Sequence, residues 1–270
     1  MERRRTQRAR TEEILDVGLD LFGQPFHTHL AVPTGTMRLA EVVPIARRLC
    51  DRLVSFVLLG LREIGRDVPC QVGCSACCRY LVPLSPPEAF ALLEEIQALP
   101  PARRARTLEA FRAARRKLHE AALAPRQDSA PRAGGPSAPL TKAERWYAHL
   151  ELDCPFLAHN LCSAYSWRPL ACRSYFAVSD ARYCGDLSTG LGRRLRMPVS
   201  FVQALGDLTA ELEGSEHLAV ALPIAPLWAA GQPRRAARHW PARDVMGRLV
   251  RILHDQAVVA AVQTRFEDAA

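Results

Sequence analysis

Cys70-Gln71-Val72-Gly73-Cys74-Ser75-Ala76-Cys77-Cys78 places four cysteines in nine residues, with a C-x3-C-x2-C-C spacing. Two or three residues between thiols let a tight turn aim both sulfurs at one metal ion, and Gly73 supplies the backbone freedom such a turn uses. A single buried cysteine is an ordinary packing residue, but packing does not account for four so close together. A second set follows at Cys154, Cys162, Cys172 and Cys184, separated by seven, nine and eleven residues. Eight thiols in two groups of four make the donor set of Zn²⁺ sites and of iron–sulfur clusters.

Neighbouring side chains point apart, whether on a helix or on a strand. Cys77 and Cys78 therefore either serve two different metals, or one of them bridges a binuclear site. In both cases the two cysteine segments interleave in space, and the helices between them form an excursion from a shared metal core. Cys50, the ninth cysteine, lies beside Ala46, Leu49 and Leu53 on an apolar helix face and reads as a core residue. His159 and the His27-Thr28-His29 pair read as surface side chains, since eight thiols already fill the ligand positions.

Outward from the cysteines the pattern is helical. Val43, Ala46, Leu49, Leu53, Phe56, Gly60 and Ile64 recur at three- and four-residue steps, which predicts a helix over about 43–64 with Pro44 in its first turn. Ser85-Pro86-Pro87-Glu88 reads as a cap, a proline-tolerant first turn and an early acid, opening a helix to about Leu99. Pro101–Lys117 continues as a basic helix with Leu108, Phe111 and Leu118 along one side. Ala124–Leu140, with four prolines and two glycines, is expected to be a flexible linker, and Thr141-Lys142-Ala143-Glu144 has capping-box spacing. Phe201–Leu212 and the stretch from Pro241 through Val262 predict two further helices, and a short helix is expected around Glu12–Leu21. The expected fold is mainly α, with helices packed around an irregular cysteine-rich metal-binding core and few short strands. Its expected regions are an N-terminal helical part (1–65), a cysteine-cluster domain (66–186) with an insertion near 124–140, and a C-terminal helical part (187–270).

The chain of 270 residues carries 36 Lys+Arg against 28 Asp+Glu, a net charge of +8. Lys117 and Lys142 are the only lysines, and the arginines are spread along the whole chain. That distribution reads as compositional bias, and the basic helix as a solvated face, so no nucleic-acid partner is expected. The longest charge-free stretches, Leu21–Met37 and Leu218–Pro233, are short and broken by prolines, so no membrane partner is expected either. Thr11-Glu12-Glu13 stands where a signal peptide would be apolar. Together with clustered rather than dispersed cysteines, this predicts a cytoplasmic protein with reduced thiols. Gly190-Leu191-Gly192 lacks the third glycine of a nucleotide loop.

Four features combine into a resemblance: Cys70–Cys78 followed by Ser85-Pro86-Pro87-Glu88, then Cys154-Pro155-Phe156-Leu157, then Cys162-Ser163-Ala164-Tyr165-Ser166-Trp167-Arg168-Pro169-Leu170-Ala171-Cys172-Arg173-Ser174-Tyr175, and finally Cys184. Over about residues 66–186 the chain resembles the YkgJ-like cysteine-cluster proteins, a zinc- or iron-chelating group. The resemblance implies that Cys70, Cys74, Cys77, Cys78, Cys154, Cys162, Cys172 and Cys184 are metal ligands. Arg168 and Arg173, flanking Cys172, are placed to donate N–H bonds to sulfur or to neighbouring carbonyls.

Iron, as an iron–sulfur cluster, stands slightly ahead of zinc. Cys70, Cys74 and Cys77 can hold three corners of a cubane, and Cys154-Pro155 has the Cys-Pro step of cluster ligands. Eight thiolates can equally close two zinc sites. The C-x3-C-x2-C spacing is also that of radical-SAM enzymes, but the strand-helix repeats of their barrel are missing from the sequence pattern. Some flagellin lysine methylases carry similar cysteines, but no glycine-rich cofactor loop accompanies them here. A metal-binding protein with a protein or redox partner is the expected function, with a zinc-stabilised interaction protein and an iron–sulfur-dependent oxidoreductase or group-transfer enzyme as alternatives. No catalytic residue stands out.

Overall fold

The computed structural model describes residues 11–123, 142–184 and 193–267. The expected linker at 124–140, the Thr141 cap, Gly190-Leu191-Gly192 and the basic first residues lie outside them.

The first element corrects the sequence reading. Glu12–Leu21 is not a helix but strand β1, paired antiparallel with β2 (Gln24–Pro33). Leu15, Val17, Leu19 and Leu21 alternate with Asp16, Gly18 and Asp20, and this period of two buries Val17, Leu19 and Leu21 on one face. Phe26, Leu30 and Val32 of β2 are buried beside them. Phe22 and Gly23 both have positive φ, 58° and 82°, as a two-residue hairpin turn with the twist of its strands requires. The Asp20 carboxylate accepts the Gly23 N–H at 2.6 Å and closes that turn.

Helix α1 (Leu39–Glu63) begins four residues before the expected start. Glu41 accepts the Arg38 N–H at 2.7 Å and fixes the helix origin there. Pro44 consequently lies inside the helix rather than in its first turn, and the Ala40 carbonyl forgoes one i+4 donor. Val43, Ala46, Leu49, Cys50 and Leu53 are fully buried, so the thiol of Cys50 is a core group. Beyond Val54, the last buried residue of the helix, Phe56, Val57 and Leu58 still pack partly buried against the core, and Ile64 is 67% exposed.

Helix α2 (Pro86–Ala98) starts at Ser85 as the sequence predicts, and α3 (Pro101–Leu123) follows directly. Phe111 of α3 is buried edge-on against Phe156, centroids 5.1 Å apart, while the arginines of the helix face outward or stay half-buried. The short α4 (Lys142–Ala148) and α5 (Leu170–Arg173) bracket the second cysteine segment. After it come α6 (Phe201–Glu213), the two short helices α7 (Ala225–Ala230) and α8 (Pro233–Ala236), and α9 (Ala242–Glu267). Ser200 Oγ caps α6 at the Gln203 N–H, and Gly214, at φ 62°, ends it in the left-handed conformation.

One apolar cluster runs from Val17 on the hairpin through α1, α2 and α6 to Ala257 on α9. The α1–α2, α2–α7 and α6–α9 pairs pack closely, and α9 covers β1. The fold is mainly α, and the cysteine segments stay irregular between its helices. Among the described residues no helix is long and apolar enough to cross a membrane.

Candidate metal centre

The first cysteine segment is a chain of tight turns. Gly73 has φ 89°, a conformation that favours glycine, and the Cys74 N–H donates to the Gln71 carbonyl at 3.1 Å. A 3₁₀ turn at Ala76–Arg79 then carries Cys77 and Cys78. The second segment joins it directly, because the Cys154 N–H donates to the Cys78 carbonyl at 2.8 Å. Leu157–Ala158 and Leu161–Cys162 form a minimal hairpin whose turn residues His159 and Asn160 both have positive φ. Ser75 Oγ lies 3.3 Å from Asn160 Oδ1, so the two loop tips stand side by side. His159 is exposed at that tip, as expected of a surface residue, and His29 is exposed on β2 beside Asp16.

The thiols divide across the two segments rather than by segment. Burial first, then the neighbouring thiolates of Cys70, Cys74 and Cys77, pushes the Cys184 thiol above its ordinary range. Cys70 is raised by burial and then by Cys74 and Cys77, against a lowering N–H bond from Ala177 at 3.4 Å. Cys154 is pushed up to about 12, mainly by burial, with Cys162 and Cys77 as the nearby charges. Cys172 is raised by burial and by Cys154, Cys77 and Cys162. Cys77 belongs to both neighbourhoods, and its own thiol is raised first by a hydrogen bond with Cys78. So Cys184 from the second segment stands with Cys70, Cys74 and Cys77, while Cys154, Cys162 and Cys172 stand around Cys77.

The flanking arginines differ in what they reach. Arg173 is buried, and its Nε donates to the Arg168 carbonyl at 3.1 Å while its Nη2 donates to the Ser166 carbonyl. Its Nη1 bonds both oxygens of Asp51 on α1 at 2.7 Å. Arg173 thus holds the backbone around Cys172, bonding oxygen acceptors rather than sulfur. Arg168 stacks over the Tyr165 ring, 4.3 Å from its centroid, and its charge lowers the thiols of Cys77, Cys162 and Cys172 against their burial.

Residues 69–188 match the family model CxxCxxCC, described as "Putative zinc- or iron-chelating domain". Over these residues the chain is similar to the CxxCxxCC family. No curated protein and no solved structure matches the chain.

The thiol donors of the matched segment fit zinc or iron, the ions in the family model's description. Backbone N–H groups of Ala177, Phe156, Leu157 and Ala164 are directed at the sulfurs of Cys70, Cys154 and Cys162, where they favour thiolate over thiol. Among the described residues no three His, Cys, Asp or Glu side chains converge on one coordination point. The fold brings the two cysteine segments together without converging their side chains on one point.

Two residues absent from the sequence reading of the site support it. Asp51 is one, through Arg173. Glu88 is the other: its Oε2 lies 3.1 Å from the Ser85 N and 3.0 Å from Ser85 Oγ at the start of α2, while its Oε1 accepts the Leu170 N–H at 2.8 Å. Neither partnership leaves a local signal, since Glu88 and Leu170 are 82 residues apart and Asp51 and Arg173 are 122 apart.

The matched segment also forms one side of a cleft of about 860 Å³. Cys77, Tyr80, Ser174 and Tyr175 line that side. The opposite side is Gln203, Asp207 and Glu211 of α6 with Arg251, Asp255 and Gln256 of α9, all outside the family match. Tyr80 and Tyr175 meet edge-on at 5.8 Å, and Arg194 lies 5.6 Å from the Tyr175 ring centroid. A volume of this size is in the range of small-molecule sites.

Proposed function

We propose that the eight cysteines form one shared metal–thiolate centre, with Cys70, Cys74 and Cys184 on one side, Cys154, Cys162 and Cys172 on the other, and Cys77 between them beside Cys78. The observation that carries this reading is the exchange of partners between segments: Cys184 joins the first set, and Cys77 meets the second. Two separate sites, each made from one segment, would not require that exchange. The backbone tie between Cys154 and Cys78 supports the same reading.

Iron held as an iron–sulfur cluster is the first reading, in which the N–H groups directed at Cys70, Cys154 and Cys162 would tune the cluster potential. When bound, that group supplies one-electron redox chemistry, and a redox protein is the expected partner. Zinc is the second reading, favoured by a set of thiols large enough to close two four-coordinate sites. Either reading places the protein in a compartment that keeps thiols reduced, such as the cytoplasm.

The test is anaerobic purification followed by iron, zinc and acid-labile sulfide analysis with a visible absorption spectrum. Iron and sulfide in matching amounts, with visible absorption, support the first reading. Colourless protein with about two zinc ions per chain, the number two four-thiolate shells take, selects the second. Metal-free protein with nine freely titrating thiols overturns both.

A further inference from the structure

We propose that Glu88 is a positioning residue for the metal centre: its buried carboxylate sets the place of the one-turn helix that carries Cys172. The inference rests on the thiolate reading above and concerns a side chain that is not itself a ligand.

Helix α5 spans only Leu170–Arg173. A single turn does not hold itself together in water, because helix nucleation costs more than one turn returns. Its first N–H groups also need acceptors from outside the helix. Pro169 precedes it and offers no side-chain oxygen, so the usual local cap is missing. Glu88 Oε1 fills that role from another helix, 2.8 Å from the Leu170 nitrogen, with Leu170 fully buried and Glu88 1% exposed.

Burial is the reason to assign Glu88 more than the capping of α2. A glutamate at this position closes a capping box equally well from solvent, without losing its hydration. Glu88 instead accepts that loss and spends one oxygen on Ser85 and the other on Leu170. The far end of α5 is held in the same manner, by Arg173 against Asp51 of α1. Cys172 therefore sits on a turn clamped at one end by α2 and at the other by α1, and its thiol stands among Cys154, Cys162 and Cys77. Burial raises the Glu88 carboxyl above its ordinary value, but Oε1 keeps its lone pairs for Leu170 whether or not Oε2 carries a proton.

The test uses the full chain, stripped of metal, kept reduced and anaerobic, and titrated with Co²⁺. Affinity is read by chelator competition, and geometry by the thiolate-to-cobalt and d–d absorption. Glu88→Asp keeps the charge but withdraws the carboxylate by one methylene. It should weaken Co²⁺ binding by about 10- to 100-fold, the usual loss when a ligand's supporting partner is removed, and alter the d–d bands. Glu88→Gln retains the length and an acceptor oxygen for Leu170, so its Co²⁺ affinity and spectrum should stay within about threefold of wild type, well inside that loss, while its Tm falls. Ser85→Ala removes the other contact of the same carboxylate and should also leave the spectrum unchanged.

Wild-type affinity in Glu88→Asp, or equal losses in Glu88→Asp and Ser85→Ala, overturns the positioning role. Should Glu88→Asp not fold, Glu88→Gln decides: an unchanged spectrum at lower Tm supports the role, and an affinity that falls along with Tm overturns it. Wild-type protein that takes up no Co²⁺ overturns the thiolate reading and this inference with it, whereas binding by wild type and Glu88→Asp alike overturns this inference alone.

Discussion

The Cys154 amide donates a hydrogen bond to the Cys78 carbonyl at 2.8 Å, so the last cysteine of the first segment and the first cysteine of the second share one backbone link. Metal ligation is coupled to folding, and a link of this kind couples the two segments to each other. Chelator treatment should therefore raise hydrogen exchange at residues 70–80 and 154–163 together. Loss of protection in one segment alone would show that they bind metal independently.

Cys77 and Cys50 make a matched pair of tests. Cys77→Ser should lower metal content and expose both cysteine segments to protease. Cys50→Ser should leave metal content unchanged and cost about 1–3 kcal/mol of stability, because a hydroxyl replaces a thiol at a fully buried position. Equal metal loss in the two variants would contradict the core placement of Cys50.

Arg173 reaches two backbone carbonyls and Asp51 through a planar fork of donors. Lysine cannot span those acceptors. Asp51 is 55% exposed, so its ion pair is screened and most of the loss comes from the carbonyl bonds. Arg173→Lys should cost about 2 kcal/mol in chemical denaturation and reduce metal occupancy. A variant with wild-type stability and occupancy would remove Arg173 from the support of the site.

Glu88 also predicts a pH dependence. Burial raises its folded-state pKa above the ordinary 4.5, so the folded chain holds a proton that the unfolded chain has already released. The contribution is fully present below 4.5 and is lost as pH rises through the higher folded value. Tm measured upward from about pH 4.5 should fall less steeply in Glu88→Gln than in wild type. Parallel curves would contradict the raised value.

The hairpin is testable apart from the metal. Gly23 sits at φ 82° with no neighbouring atom to obstruct a side chain, so Gly23→Ala meets backbone strain alone. It should cost about 1 kcal/mol and leave metal content unchanged. A stability equal to wild type would mean that the turn does not hold this conformation.

Legibility followed distance along the chain. The Ser85 cap, the turn at Gly73, the apolar faces of α1, α2, α6 and α9 and the thiol sets could be read from residues within a few positions of one another, because capping, turn geometry and helical periodicity are local. The hairpin shows where local reading slips: residues 12–21 hold enough apolar side chains for a short helical reading, and only burial against α9 and pairing with β2 select the period of two. Pro44 slipped for a related reason, since Glu41 moved the helix start upstream.

By itself, the sequence singled out eight thiols in two groups of four as a candidate donor set, and showed that helices would flank them. Tertiary structure alone decided how those thiols are shared, with Cys184 beside Cys70 and Cys77 among Cys154, Cys162 and Cys172. It alone brought Glu88 to Leu170 and Asp51 to Arg173, and it set α6 and α9 opposite Cys77 across a cleft. The physical reason is that these contacts join residues tens to more than a hundred positions apart. Their geometry is imposed by packing of the common apolar core, to which no short stretch of sequence has access.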